Sequence, residues 1–157
     1  MTEHEKFMEM AIDLAREGMT KNAGGPFGCV IVKGGVVVGQ GHNEVTSSFD
    51  PTAHAEIVAI RRATKNLNDY ELKDCTLYTS CEPCPMCLGA IYWARPDKVF
   101  YACTKEDAAD VNFDDQFIYE EIEKPYEQRE IPMKNLLRQK AVIVFKEWEQ
   151  KEDKTPY

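Results

Sequence analysis

Phe7, Met10, Ala11, Leu14 and Ala15 recur three and four residues apart among charged residues, which predicts an amphipathic helix near the amino terminus. Thr2 and Glu5 stand at capping-box spacing at its start, and Gly18 marks its end. Two apolar runs, Phe27 to Val32 and Val36 to Val38, flank Lys33-Gly34-Gly35. A Gly-Gly pair supplies the positive φ angles of a tight turn, so these runs predict an antiparallel hairpin. After a polar loop, Asp50-Pro51-Thr52 introduces a helix from about Ala53 to Asn66, with Ala55, Val58, Ala59 and Ala63 on its inner face and His54 in its first turn.

Cys75 to Thr79 predicts a short strand, Pro83 opens a helix running towards Trp93, and Lys98 to Ala102 predicts a further strand. Strands joined through helices favour parallel pairing there. Phe113 to Glu123 reads as helical. Ala141 to Trp148 fits two patterns: its Val and Ile suit a strand, whereas Ala141, Val144, Phe145 and Trp148 follow a helical interval, and the helix is the preferred reading. No repeat, low-complexity tract or linker divides the 157 residues, so residues 1–157 are expected to form a single domain.

With 43% hydrophobic and 29% charged residues, and only 9 Gly and 8 Pro, the chain belongs with neither disordered nor collagen-like sequences. The uncharged stretch Cys87 to Ala94 falls far short of the roughly 20 residues a membrane-spanning helix needs. Charged residues interrupt the first 18 positions, so no secretion signal is expected and the cytoplasm is the predicted setting. In a reducing compartment, cysteines close in sequence point to metal or chemistry rather than disulfides. The net charge is −8, and Lys105 to Glu130 alone carries ten acidic against three basic residues. Such a segment repels a phosphate backbone and counts against nucleic acid as the ordinary substrate.

The residues that carry chemistry are His54-Ala55-Glu56 and Pro83-Cys84-Pro85-Met86-Cys87. One imidazole and two thiolates, His54, Cys84 and Cys87, make three good zinc ligands and leave the fourth tetrahedral position to water, the mark of a catalytic rather than a structural site. Cys84 and Cys87, expected in the first turn of a helix, have their thiolate forms favoured by its dipole. Glu56, two residues from a ligand, is placed to move protons. H-x-E joined to P-C-x-x-C is the known signature of zinc nucleobase deaminases. Two other readings of the cysteines stand beside it. Cys81, Cys84 and Cys87 have the spacing of an iron–sulfur run, but Ile91-Tyr92 stands where a further Cys-Pro belongs. Cys81 could also close a structural Cys3His zinc site, which leaves Glu56 without a role. His4 and His42 lack a partner at metal spacing, and Cys29, Cys75 and Cys103 read as small buried residues.

Pro26-Phe27-Gly28, Asn43, Thr52 to Glu56 and Ser80 to Ile91 resemble the cytidine deaminase-like superfamily over about the first two thirds of the chain. Within it, Tyr92-Trp93-Ala94-Arg95, Phe113-Asp114-Asp115-x-Phe117 and the terminal Thr155-Pro156-Tyr157 resemble the bacterial guanine deaminases. That resemblance implies a three-layer α/β/α fold with a mostly parallel mixed sheet, one zinc per chain on His54, Cys84 and Cys87, and proton transfer by Glu56. It also implies that Asp115 assists at the guanine amidine edge, that Asn43 hydrogen-bonds the base, and that Phe27, Trp93 and Tyr157 pack around the ring. A homodimer in which residues 131–157 are exchanged is part of the same expectation. The function implied is hydrolysis of a purine base, guanine, to xanthine and ammonia. Deamination of guanosine, cytosine or tRNA adenosine is the alternative, and a non-enzymatic zinc module is the rival from another class.

Overall fold

The computed structural model describes all residues, Met1–Tyr157, in two compact units, Met1–Asp115 and Gln116–Tyr157. The first unit contains helix α1 (Glu3–Thr20), strands β1 (Gly28–Lys33) and β2 (Val36–His42), the short helix α2 (Val45–Ser48) and helix α3 (Ala55–Leu67). Strand β3 (Cys75–Cys81), helix α4 (Pro85–Ala94), strand β4 (Lys98–Cys103) and helix α5 (Lys105–Asp110) complete it. The second unit contains α6 (Gln116–Glu123), a single 3-10 turn at Tyr126–Gln128 and α7 (Arg138–Gln150). No helix is long and apolar enough to cross a membrane.

The four strands lie in the order β2-β1-β3-β4. Gly34 and Gly35, at φ 55° and 79°, make the β1–β2 turn as their lack of a Cβ permits. Side chains alternate across the sheet. Cys29 and Ile31 on β1 join Cys75 and Leu77 on β3 against Ala55, Ala59 and Ala63 of α3 and Ile91 and Ala94 of α4. Val30, Val32 and Tyr78 face the other way, onto Phe7 and Ala11 of α1. These two cores form the three-layer α/β/α arrangement. Full burial of Ile31, Leu72 and Leu77 stabilises it by roughly 1.5–3 kcal/mol each.

The expectation of mostly parallel pairing is corrected by the strand order. β3 and β4 are parallel, but β1 pairs antiparallel with both β2 and β3. Helical connections do send β2 and β3 in the same direction; β1 lies between them, so the strands that share hydrogen bonds are opposed. The sheet is mixed, with one parallel pair.

The local expectations fare unequally. The Thr2–Glu5 capping box is formed, and α1 runs past Gly18 to Thr20. α7 is helical across Ala141 to Trp148. The helix expected from Phe113 begins only at Gln116, after Asn112 adopts a left-handed conformation at φ 70°. α5 was not anticipated, although Thr104 and Asp107 form a capping box at its start.

Gly28 is where α1 comes closest to the sheet. A Cβ there would lie 2.0 Å from the Ala11 carbonyl oxygen and 2.6 Å from the Ala15 nitrogen, both backbone atoms that move only with the helix. Gly28→Ala is therefore expected to destabilise the fold by about 1–3 kcal/mol or more in urea unfolding of the zinc-loaded protein. A loss of less than about 0.5 kcal/mol would mean that α1 is not held against β1 as described.

Candidate active site

Two helices begin at the residues that carry the chemistry. His54 is the N-cap of α3 (φ −67°, ψ 156°) and Cys84 the N-cap of α4 (φ −66°, ψ 170°). Each stands one step outside the first turn in which it was expected, because the extended N-cap conformation ends the preceding loop. Pro85, not Pro83, takes the first helical position of α4, where a missing N–H costs nothing. The loop before His54 is tied down by Asp50, whose carboxylate accepts from the Thr52 N–H and hydroxyl at 2.8 and 2.7 Å. The turn before Cys84 leaves the carboxyl end of β3. It is held by the Glu82 N–H to the Cys103 carbonyl (2.8 Å) and the Lys105 N–H to the Glu82 carboxylate (3.0 Å). Ligand sites in open α/β sheets gather at such carboxyl ends.

From these positions His54 Nδ1 lies 3.5 Å from the Sγ of both Cys84 and Cys87, and all three donor atoms fall within 4.8 Å of one another. A tetrahedral zinc with bonds of about 2.3 Å to sulfur and 2.0–2.1 Å to nitrogen separates sulfur from nitrogen by about 3.5 Å. The donor set and its spacing fit zinc, with Nδ1 as the imidazole ligand. Cys81 is not part of the group: its thiol turns to the Thr104 carbonyl at 3.6 Å, which leaves the Cys3His alternative without its fourth ligand.

The sulfurs are electrostatically unequal. The Cys87 thiol, the His54 ring and the Cys87 N–H all donate towards Cys84 and hold it down at about 4, against the cost of burial. Its bond to Cys84 and its own burial push Cys87 up. Hydrogen bonding with Cys84 raises His54. Glu56, in the first turn of α3, is only 6% exposed. Burial raises its carboxyl above the usual carboxylate range, the direction that favours holding a proton.

The other expected residues are placed less uniformly. Asn43 is buried, and its Oδ1 accepts from the N–H groups of Gly25 (3.3 Å) and Val45 (3.0 Å). Its N–H donates to the Phe27 carbonyl, and Phe27 packs edge-on against Phe113 with centroids 5.0 Å apart. Asp115 is partly buried and raised chiefly by desolvation, with a smaller contribution from the Cys84 charge, so it lies within electrostatic reach of the metal ligands. Trp93 is exposed near the end of α4, and Tyr157 is exposed in the Gln116–Tyr157 unit. His4 bonds the Tyr78 hydroxyl and His42 the Asn43 carbonyl, both away from the donor triangle. Thr79 is the residue the sequence reading missed. Strand alternation puts it on the face of Cys75 and Leu77, where a hydroxyl among apolar side chains was the available signal.

A mixed sheet between helices, with a Cys2His donor set at two helix N-termini and a buried glutamate beside it, defines the zinc-dependent deaminases. Residues 1–103 match the cytidine and deoxycytidylate deaminase zinc-binding region, and the chain belongs to that family. Guanine deaminase of Bacillus subtilis is 55% identical over 154 residues, 98% of this chain and 99% of that protein. Its crystal structure superposes with a TM-score of 0.96 and covers 100% of this chain and 99% of its own. A tRNA-specific adenosine deaminase of Aquifex aeolicus is 40% identical over 98 residues, 62% of this chain and 64% of that protein.

The ligand assignment predicts that Cys84→Ser and Cys87→Ser each lose the single zinc found per chain, whereas Cys81→Ser keeps it. Metal analysis of the purified variants checks this. Zinc lost with Cys81 and kept without Cys84 would require a different ligand set.

Proposed function

We propose that this protein hydrolyses guanine to xanthine and ammonia, with His54, Cys84 and Cys87 as zinc ligands and Glu56 as the proton carrier. The observation that carries the reading is the likeness to a guanine deaminase along the whole chain, both units included, where the tRNA deaminase matches only 62% of it. The acidic Lys105–Glu130 segment, unsuited to an RNA backbone, supports the same choice.

Zinc bound by the triad supplies Lewis acidity that makes water a usable nucleophile near neutral pH. Glu56 takes one proton from the attacking water and gives it to the ring nitrogen, then carries the second, from the new C2 hydroxyl, to the departing amino group. The C2 carbon gains the water oxygen, its bond to the exocyclic nitrogen breaks, and ammonia leaves. Asn43 reads the base in a fixed sense. Its carbonyl oxygen is already taken by two backbone donors, so the amide offers the base its Nδ2 hydrogens and suits a ring acceptor or carbonyl rather than an amino group. Asp115 has the complementary role of accepting from the amidine edge. Phe27, Trp93 and Tyr157 stack around the ring and keep water from it.

The protein works as a homodimer in which residues 131–157 are exchanged, each tail closing the partner's site. Ile131, Leu136, Val144, Phe145 and Tyr157 support this: all five are exposed, from 60 to 81%, which is costly for a lone chain and is relieved by a second copy. Cys29, Cys75, Cys81, Cys84, Cys87 and Cys103 form no disulfides, which suits the reducing cytoplasm.

Ammonia release from the zinc-loaded protein with guanine, guanosine, adenine, cytosine and an adenosine-containing anticodon stem-loop tests the substrate. Guanine should exceed every other by about 100-fold or more in kcat/KM. A stem-loop or cytosine turned over faster would assign another reaction. For the exchanged tail, a chain lacking Asp153 to Tyr157 and a full-length Glu56→Gln chain should each be nearly inactive alone. Co-expressed, they should regain activity, because one site then combines an intact Glu56 with a donated tail. No recovery in isolated heterodimers would place the tail in its own chain.

A further inference from the structure

Thr79 is 1% exposed on β3, two residues before Cys81 and the turn that presents Cys84. A buried hydroxyl is costly unless it is partnered, and this one has two acceptors. Its Oγ1 donates to Glu56 Oε1 at 3.1 Å and lies 3.0 Å from the Cys81 carbonyl oxygen. It has one hydrogen to give. An ionised carboxylate takes that hydrogen in preference to a peptide carbonyl, because a charge-assisted bond is roughly twice as strong as a neutral one.

The second oxygen of Glu56 is engaged differently. Oε2 lies 3.4 Å from Cys87 Sγ and shares that thiol's one hydrogen with Cys84. A sulfur that ligates zinc has lost its proton, so this bond cannot persist in the metal-loaded protein. Of the two side-chain donors that hold Glu56, Thr79 is the one that survives metal binding. The carboxylate then has one oxygen tied to β3 and one facing the metal ligands.

We propose that Thr79 is the positioning residue for Glu56: by holding Oε1 it fixes the carboxylate rotamer and leaves Oε2 facing the metal triad for proton transfer. The inference rests on the assignment of Glu56 as proton carrier. It also explains why β3 carries a hydroxyl on a face otherwise filled by Cys75 and Leu77. Thr79 touches neither substrate nor metal in this role. Its loss should therefore slow the chemical step while leaving the base and the zinc bound.

The test uses zinc-loaded Thr79→Val, Thr79→Ala and Thr79→Ser, with Glu56→Gln alongside. Zinc content, kcat and KM for guanine, and the Kd of xanthine by calorimetry are measured for each. The Val and Ala variants should lose about 10- to 100-fold in kcat, the cost of a misplaced catalytic group, with KM and xanthine Kd changed by less than about 3-fold and one zinc retained. Thr79→Ser should recover most of the rate. Ser and Ala differ only in the hydroxyl, so their comparison decides the matter even where the Val variant does not fold. Equal kcat for Ser and Ala, or a loss confined to KM or zinc content, would overturn the inference. If Glu56→Gln keeps near-normal turnover, the proton-carrier assignment fails first; if it is inactive while Ala matches Ser, only the role of Thr79 fails.

Discussion

The structure turns on two helices that start at candidate zinc ligands. His54 caps α3 and Cys84 caps α4, and both N-termini converge on one triangle of donor atoms. That convergence does three things at once. It brings the partial positive charge of two helix ends to thiolates that would otherwise be costly to bury. It sets Glu56 and Cys87 in the first turn of their helices, beside the donor triangle and away from bulk water. It also requires α3 and α4 to be packed on the same face of the sheet, which is what the core of Ala55, Ala59, Ala63, Ile91 and Ala94 provides. The small side chains of α3 let it lie close to β1 and β2, where a bulkier face would draw His54 away from the cysteines.

Much of this was legible in the residues, for reasons that can be named. The ligands and Glu56 lie in two short runs, and local spacing is the information a sequence carries most directly. The inner face of α3 could be read from its helical period, and the hairpin from Gly34-Gly35. The pairing of β1 with β3 was not legible, because strand adjacency depends on how crossovers stack and not on any one segment. The break before α6 was hidden for a similar reason. Asn112 turns left-handed and Phe113 packs on Phe27, a contact between positions far apart in the chain. Thr79 was overlooked because a threonine in a strand looks ordinary until the carboxylate facing it is known.

The span of the family match and the rest of the chain hold different candidate residues. Residues 1–103, the span of the family match, hold every atom of the donor triangle together with Glu56 and Thr79. Asp115, Tyr157 and the exposed apolar residues of the Gln116–Tyr157 unit come after it. Asn43, also within that span, holds the backbone at Gly25 and Val45 through its side-chain oxygen.

The central claim is that two sulfurs and one imidazole hold the metal with a fourth position open to water. Zinc K-edge X-ray absorption on the metal-loaded protein addresses it directly. The account predicts two sulfur scatterers at about 2.3 Å and two lighter atoms at about 2.0–2.1 Å, one of them an imidazole nitrogen and the other replaceable by an added inhibitor or anion. Three sulfurs, or a fourth position that nothing exchanges, would contradict it and make the site structural.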